Sequence, residues 1–217
     1  MKTDASVQQD VIEELKWENA VNAENICVEV KDGIVTLDGT VRSYAEKWSA
    51  ERAAQRVAGV QALTVRLNVK LADWNQRSDV VVAHAAQNVL KWMSTIPTDS
   101  IKVMVEGGWV TLSGEVDWDY QKQAAMQAVS NLVGVTGISD QVTIKTNPVI
   151  GEVKSEIEAA LKRVAKTGDG GIIVDVTGDS VVLSGAVHDW SERELVKNSA
   201  WGTPGVRNVV DHMTIAG

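Results

Sequence analysis

The apolar residues of this chain change period in a fixed order, and that order runs through three times. A spacing of four comes first: Val7, Val11 and Leu15, then Val82, Ala86 and Leu90, then Val153, Ile157 and Leu161. Such spacing keeps side chains on one face of a helix. Ser6-Val7-Gln8-Gln9 has the form of a capping box, and Asn147-Pro148 suits a cap and first turn in the third copy. The first helix is expected to run to about Val21. Alternation follows, at Ile26, Val28 and Val30, at Ile101, Val103 and Val105, and at Ile172, Val174 and Val176. A period of two predicts a strand with one buried face. Asp32-Gly33, Gly107-Gly108 and Gly178-Asp179 then mark hairpin turns.

The second arm of each hairpin carries the most repeated stretch: Val35-Thr36-Leu37-Asp38-Gly39, Val110-Thr111-Leu112-Ser113-Gly114 and Val181-Val182-Leu183-Ser184-Gly185. Each reads as a strand with two inward residues, closed by its glycine. A second helix follows. Ser43-Tyr44-Ala45-Glu46 and Asp189-Trp190-Ser191-Glu192 are capping boxes, and Asp117 or Asp119 is the corresponding cap in the second copy. Its apolar face is small (Ala50, Ala54, Val57; Ala125, Val129, Leu132), and Gly59, Gly134 and Gly205 stand where a left-handed C-terminal cap is expected. A last strand alternates at Leu63, Val65, Leu67 and Val69, at Ile138, Val142 and Ile144, and at Val209, Met213 and Ile215.

The predicted fold class is therefore α+β. Each unit has the order αββαβ, with a three-stranded mixed sheet and two helices on one face. The expected domains are residues 1–70, 79–145 and 147–217, with short joints near Leu71–Ser78 and Thr146–Ile150.

Composition narrows the function more than it defines it. The chain has 29 acidic and 21 basic residues, a net charge of −8, and every copy is mildly acidic. That leaves no basic footprint for nucleic acid. The single cysteine, Cys27, allows no internal disulfide. It lies between inward Ile26 and Val28, so it faces away from the helices. The start shows no secretory signal, which points to a cytoplasmic protein, or a periplasmic one if a leader was removed. His84, His188 and His212 fall at non-equivalent positions without metal-ligand spacing. No nucleophile–base pair or paired carboxylates cluster, so neither catalytic residues nor a cofactor are expected. Gly39, Gly59, Gly114, Gly134, Gly185 and Gly205 read as structural, since none belongs to a Gly-x-Gly-x-x-Gly run opening a helix.

The Val-Thr-Leu-x-Gly strand end, the alanine-rich second helix and the pairs Gly59-Val60, Gly134-Val135 and Gly205-Val206 together resemble the BON domain, named for bacterial osmotic stress and nodulation. The resemblance covers nearly the whole chain and implies a non-enzymatic protein of the osmotic or envelope stress response. It implies contact with phospholipid headgroups, or alternatively binding of a monovalent cation such as potassium or of a small ligand. The chain differs from two-domain members in having three copies. Lys91 and Trp92, at the end of the second copy's first helix, become the first candidates for lipid contact, because tryptophan favours the headgroup level of a membrane.

The outward strand positions supply another expectation. They carry Lys102, Met104, Trp109 and Thr111 in the second copy and Ile173, Asp175 and Val182 in the third. Met104, Trp109, Ile173 and Val182 are too apolar for a freely solvated face. These faces are expected to be covered by a neighbouring domain or by another chain, as in a protein–protein adaptor or a self-associating protein.

Overall fold

A computed structural model describes residues 2–145, 172–203 and 206–215. The first domain comprises α1 (Asp4–Trp17), β1 (Ile26–Lys31), β2 (Ile34–Val41), α2 (Tyr44–Gln55) and β3 (Ala62–Val69). The second repeats the order as α3 (Asp79–Trp92), β4 (Ile101–Glu106), β5 (Trp109–Val116), α4 (Asp119–Ser130) and β6 (Gly137–Ile144). The third shows β7 (Ile173–Thr177), β8 (Ser180–Val187), α5 (Trp190–Trp201) and β9 (Asn208–Ile215). The expected helix through Val153, Ile157 and Leu161, its Asn147-Pro148 cap, the second joint and Gly205 lie outside the described residues.

The three sheets share one topology. The second strand is central, antiparallel to the first and parallel to the third. Its inward pairs are fully buried: Val35 and Leu37, Val110 and Leu112, Val181 and Leu183. Val7, Val11 and Leu15 close the first core from α1, and Ala50 and Ala54 do so from α2. Small residues on α2 let it sit close to the sheet. Each domain therefore has its own apolar core.

Several local details depart from the sequence pattern. Helix α1 starts two residues before Ser6, with Thr3 as the cap accepting Ser6 N–H, and ends at Trp17 rather than near Val21. Asp4 then serves the hairpin: its carboxylate accepts the N–H groups of Asp32 (2.8 Å) and Gly33 (3.0 Å). Asp79 does the same for Gly107 and Gly108. Central strands do not stop at their glycines but run two residues further, to Val41, Val116 and Val187. Gly39 (φ 144°) lies where the Asn25 carbonyl crosses the strand, and a Cβ there would strike that oxygen. Gly114 (φ 134°) meets the Ser100 carbonyl in the same way. Gly59 is also displaced: α2 is capped at Arg56, and Gly59 lies beyond it, against Val7 of α1.

The start of the second helix is organised by one buried polar side chain. Glu46 accepts the N–H groups of Asn22 (2.8 Å) and Arg42 (2.6 Å). Gln121 holds the same place in the second domain. Its Oε1 accepts from Asp117 N (2.9 Å) and Trp118 N (3.0 Å), and its Nε2 donates to Thr95 O (2.7 Å). The cap is thus Trp118, with neither Asp117 nor Asp119 in that role. The repeat register explains the change from Glu to Gln. Asn22, a donor, is matched by Pro97, which has no N–H, so the buried group instead donates to a carbonyl.

The domains meet through their second helices. Tyr44, the first residue of α2, packs on the core of the second domain, where its hydroxyl meets the backbone of Ile138. Trp190, the first residue of α5, packs on the core of the first domain and donates Nε1–H to Val60 O (2.9 Å). The corresponding residue of α4 is Asp119. Burial pushes the Tyr44 hydroxyl and the nearby Glu51 carboxyl upward, and the Glu51 charge adds to the rise at Tyr44. Because the described helices lie on one face of each sheet and make these junctions, the outer sheet faces point away from them. Met104, Trp109 and Ile173 are exposed (60%, 52% and 57%), and Val182 is half-buried. Among the described residues a neighbouring domain therefore does not cover Met104, Trp109 or Ile173, whereas Val182 is partly covered.

Candidate functional site

The site is built at the C-terminal end of α3. Val82, Ala86 and Leu90 turn inward, and this phase carries Lys91 and Trp92 around to the outside. The chain then turns through Pro97 and Asp99, with Asp99 in the left-handed region (φ 61°) and Ser100 Oγ donating to Pro97 O (2.7 Å). It enters β4 beside the helix end. A cleft of about 420 Å³ results, floored by Leu90, Ile96 and Ile101 and flanked by Lys91 and Lys102. Asp99 also lines it. Among the described residues neither lysine makes an ion pair.

Trp92 stands beside the cleft without lining it and is 88% exposed. Trp17, the matching residue of α1, is 83% exposed, so neither tryptophan packs at a helix edge. Lys102 and Met104 are two apart on β4 and share its outer face. Trp109 lies diagonally across the sheet from Met104, because Met104 pairs with Thr111 and Trp109 pairs with Glu106. The Trp109 ring covers Gly137, its partner on β6, in the space a Cβ would need. Lys102, Met104 and Trp109 thus form a strip on the outer face of the second sheet, and Lys91 meets it at the cleft. Ile173 and Val182 occupy the outer face of the third sheet and belong to no such strip.

Periodicity alone placed Lys102 on an outer face and did not join it to Lys91. The short α3–β4 connection joins them. At the equivalent of Lys102 the first domain has exposed Cys27 and the third has Ile173, so the paired lysines are particular to the second domain. Two ammonium groups above an apolar floor suit an anionic group with an aliphatic part. Nothing in the strip supplies a nucleophile with a base. Among the described residues no three His, Cys, Asp or Glu side chains converge as a metal site. His188 instead bonds Glu192 (2.8 Å), whose carboxyl is held low chiefly by the His188 backbone N–H. No helix among the described residues is long and apolar enough to cross a membrane.

The BON domain family model matches residues 3–70, 78–146 and 151–217. Osmotically-inducible protein Y of Escherichia coli (strain K12) is 25% identical over 146 residues, which span 65% of this chain and 73% of that protein. Among solved structures, CdsD, a structural protein of the type III secretion system of Chlamydia trachomatis, is similar at 15% identity over 97% of this chain and 92% of its own, with a TM-score of 0.26. The periplasmic domain of PrgH is similar at 8% identity over 88% of this chain and 95% of its own, with a TM-score of 0.22.

Proposed function

Since this chain belongs to the BON domain family, we propose that it works by binding rather than catalysis, and that its second domain contacts anionic phospholipid surfaces. The likeness to osmotically-inducible protein Y supports a place in the osmotic or envelope stress response. The observation that carries the lipid reading is Lys91 and Lys102, without an ion-pair partner among the described residues, over an apolar floor, with exposed Trp92 alongside. The lysines meet phosphate and Trp92 enters the headgroup layer. Because the whole chain is acidic, attraction must come from this local arrangement and not from net charge.

Co-sedimentation with vesicles of phosphatidylcholine, with and without phosphatidylglycerol, tests this. The part of the binding that depends on Lys91 and Lys102 should require phosphatidylglycerol, fall with added salt, and drop roughly fivefold for each of Lys91→Gln and Lys102→Gln, at about 1 kcal/mol per basic residue near a charged surface. Failure to bind either vesicle, or equal binding by a Lys91→Gln/Lys102→Gln/Trp92→Ser variant, removes the reading.

The exposed outer faces favour a second reading, in which the chain is a protein adaptor or self-associates through Met104, Trp109 and Ile173. Sedimentation velocity across concentration, with Trp109→Ser as the control, separates the two. A potassium site made of backbone carbonyls at a domain joint draws less support, because at the first joint the Arg77 guanidinium already donates to the Trp74 (2.7 Å) and Gln76 (2.8 Å) carbonyls.

A further inference from the structure

The three second helices meet in a cyclic order, and one junction differs from the others. Tyr44 of the first domain packs on the second, and Trp190 of the third packs on the first. Each is the first residue of its helix and fills a junction with an aromatic ring. The same position in the second domain is Asp119.

Two clefts between domains occupy equivalent places and differ in size. Between the first and second domains, Trp48 and Arg52 face Ser130 and Asn131 across about 90 Å³. Between the second and third, residues at the same repeat positions enclose about 690 Å³. That lies inside the ~300–1,000 Å³ range of small-molecule sites. Trp118, Tyr120 and Trp201 line the larger cleft together with Asp119, Gln123 and Asn198.

Asp119 is only 9% exposed, and burial pushes its carboxyl upward, against the Gln123 hydrogen bond that favours ionisation. The two nearby lysines are otherwise engaged: Lys122 pairs with Asp140 (2.7 Å) and Lys197 with Glu194 (2.9 Å). Among the described residues Asp119 has no ion-pair partner of its own. A desolvated carboxylate beside aromatic rings is matched by a cation that sheds water easily and presents apolar substituents. A positive centre with methyl groups is attracted both to ring faces and to the carboxylate. A bare alkali cation would instead need a shell of oxygens, which a wall of three rings does not offer.

We infer that the cleft between the second and third domains binds an alkylated ammonium ion, held by Trp118, Tyr120 and Trp201 with Asp119 as its counter-charge. This site is separate from the Lys91–Lys102 cleft and does not depend on lipid binding there.

Choline is the probe, titrated against the full chain and read by tryptophan fluorescence and thermal unfolding. Its uncharged isostere 3,3-dimethylbutanol and potassium chloride at matched ionic strength are the controls. Choline should give a saturable signal and raise the unfolding temperature. The isostere should bind at least about tenfold more weakly, and Asp119→Asn should lose a similar factor. Tyr120→Leu, at an exposed position, should weaken binding without unfolding the chain, and Lys91→Gln/Lys102→Gln should leave it unchanged. The inference is overturned if choline gives no saturable signal, if potassium matches it, or if Asp119→Asn and Tyr120→Leu both bind as the parent does. Phosphatidylcholine vesicles identify the source of the ion. Competition between vesicles and free choline assigns the site to a lipid headgroup, and lack of competition assigns it to a soluble compound.

Discussion

Gln121→Glu, a change of one atom, should destabilise the second domain in a pH-dependent way. Gln121 is 5% exposed and uses both ends of its amide. Its Nε2 lies 2.7 Å from Thr95 O. A carboxylate there loses that bond, about 1 kcal/mol, and sets two acceptors against each other in a dry site, about 1–3 kcal/mol more. The expected total is about 2–4 kcal/mol near neutral pH. For a domain of this size that shifts the melting temperature by ~10 °C or more. Protonation restores a donor, so the folded state raises the pKa of the new carboxyl above its unfolded value. The penalty is therefore absent below the unfolded pKa and complete above the folded one. Calorimetry should find the variant near parental stability at about pH 4 and well below it at about pH 8. A second substitution sharpens the test. In the first domain Glu46 is satisfied by Asn22 N–H, whose counterpart is Pro97. Pro97→Asn supplies that donor, so the double variant should recover about 1 kcal/mol beyond additivity. A cost that does not vary with pH, or a coupling of zero, would refute the explanation of the Glu-to-Gln exchange.

Three further outcomes follow from the geometry. Gly39→Ala should cost about 1–3 kcal/mol for the backbone conformation alone, and more for the Asn25 carbonyl in the path of its Cβ; urea unfolding that moves by less than 0.5 kcal/mol (roughly the range of neutral surface changes) contradicts this. Burial works to raise the Asp211 carboxyl, but the Arg193 guanidinium (2.7 Å) and Met213 N–H outweigh it and hold it low. Its contribution is present above the unfolded carboxyl range and lost as pH falls through the lowered folded value, so Asp211→Asn should cost about 1–2 kcal/mol at neutral pH and converge with the parent in strong acid. Glu51 is shifted the other way, with burial the largest cause and Lys47 opposing it. Folding should therefore strengthen as pH falls through its raised value, and Glu51→Gln should stabilise the chain at neutral pH with the gain vanishing in acid, as urea midpoints at several pH values will show.

The repeated periods determined most of the architecture. A spacing of four or two states which face of an element is apolar, and Val35 with Leu37, or Val7 with Val11 and Leu15, are buried where that spacing puts them. The turns were equally legible, because Asp32-Gly33 and Gly107-Gly108 adopt the positive φ that their two-residue connections require. Local geometry was less so. The glycine in Val-Thr-Leu-Asp-Gly looks like a strand end, but the reason for it, the carbonyl of Asn25, comes from a segment that only folding brings alongside. The Glu46–Asn22 and Gln121–Thr95 bonds span 24 and 26 residues and carry no periodic trace.

The junctions and sites were decided by tertiary structure alone. Tyr44 and Trp190 read as aromatics at exposed helix starts, and nothing in their spacing shows that each packs against another domain's core. Lys91 and Lys102 belong to different elements and flank one cleft because a short turn folds β4 beside the end of α3. The physical reason is general. Hydrophobic period reports burial within one small domain, where many side chains act together. Contacts between domains rest on single residues whose partners are set by how rigid units dock. Sequence therefore determined the three sheets and their cores, and docking decided which surfaces remained open to bind.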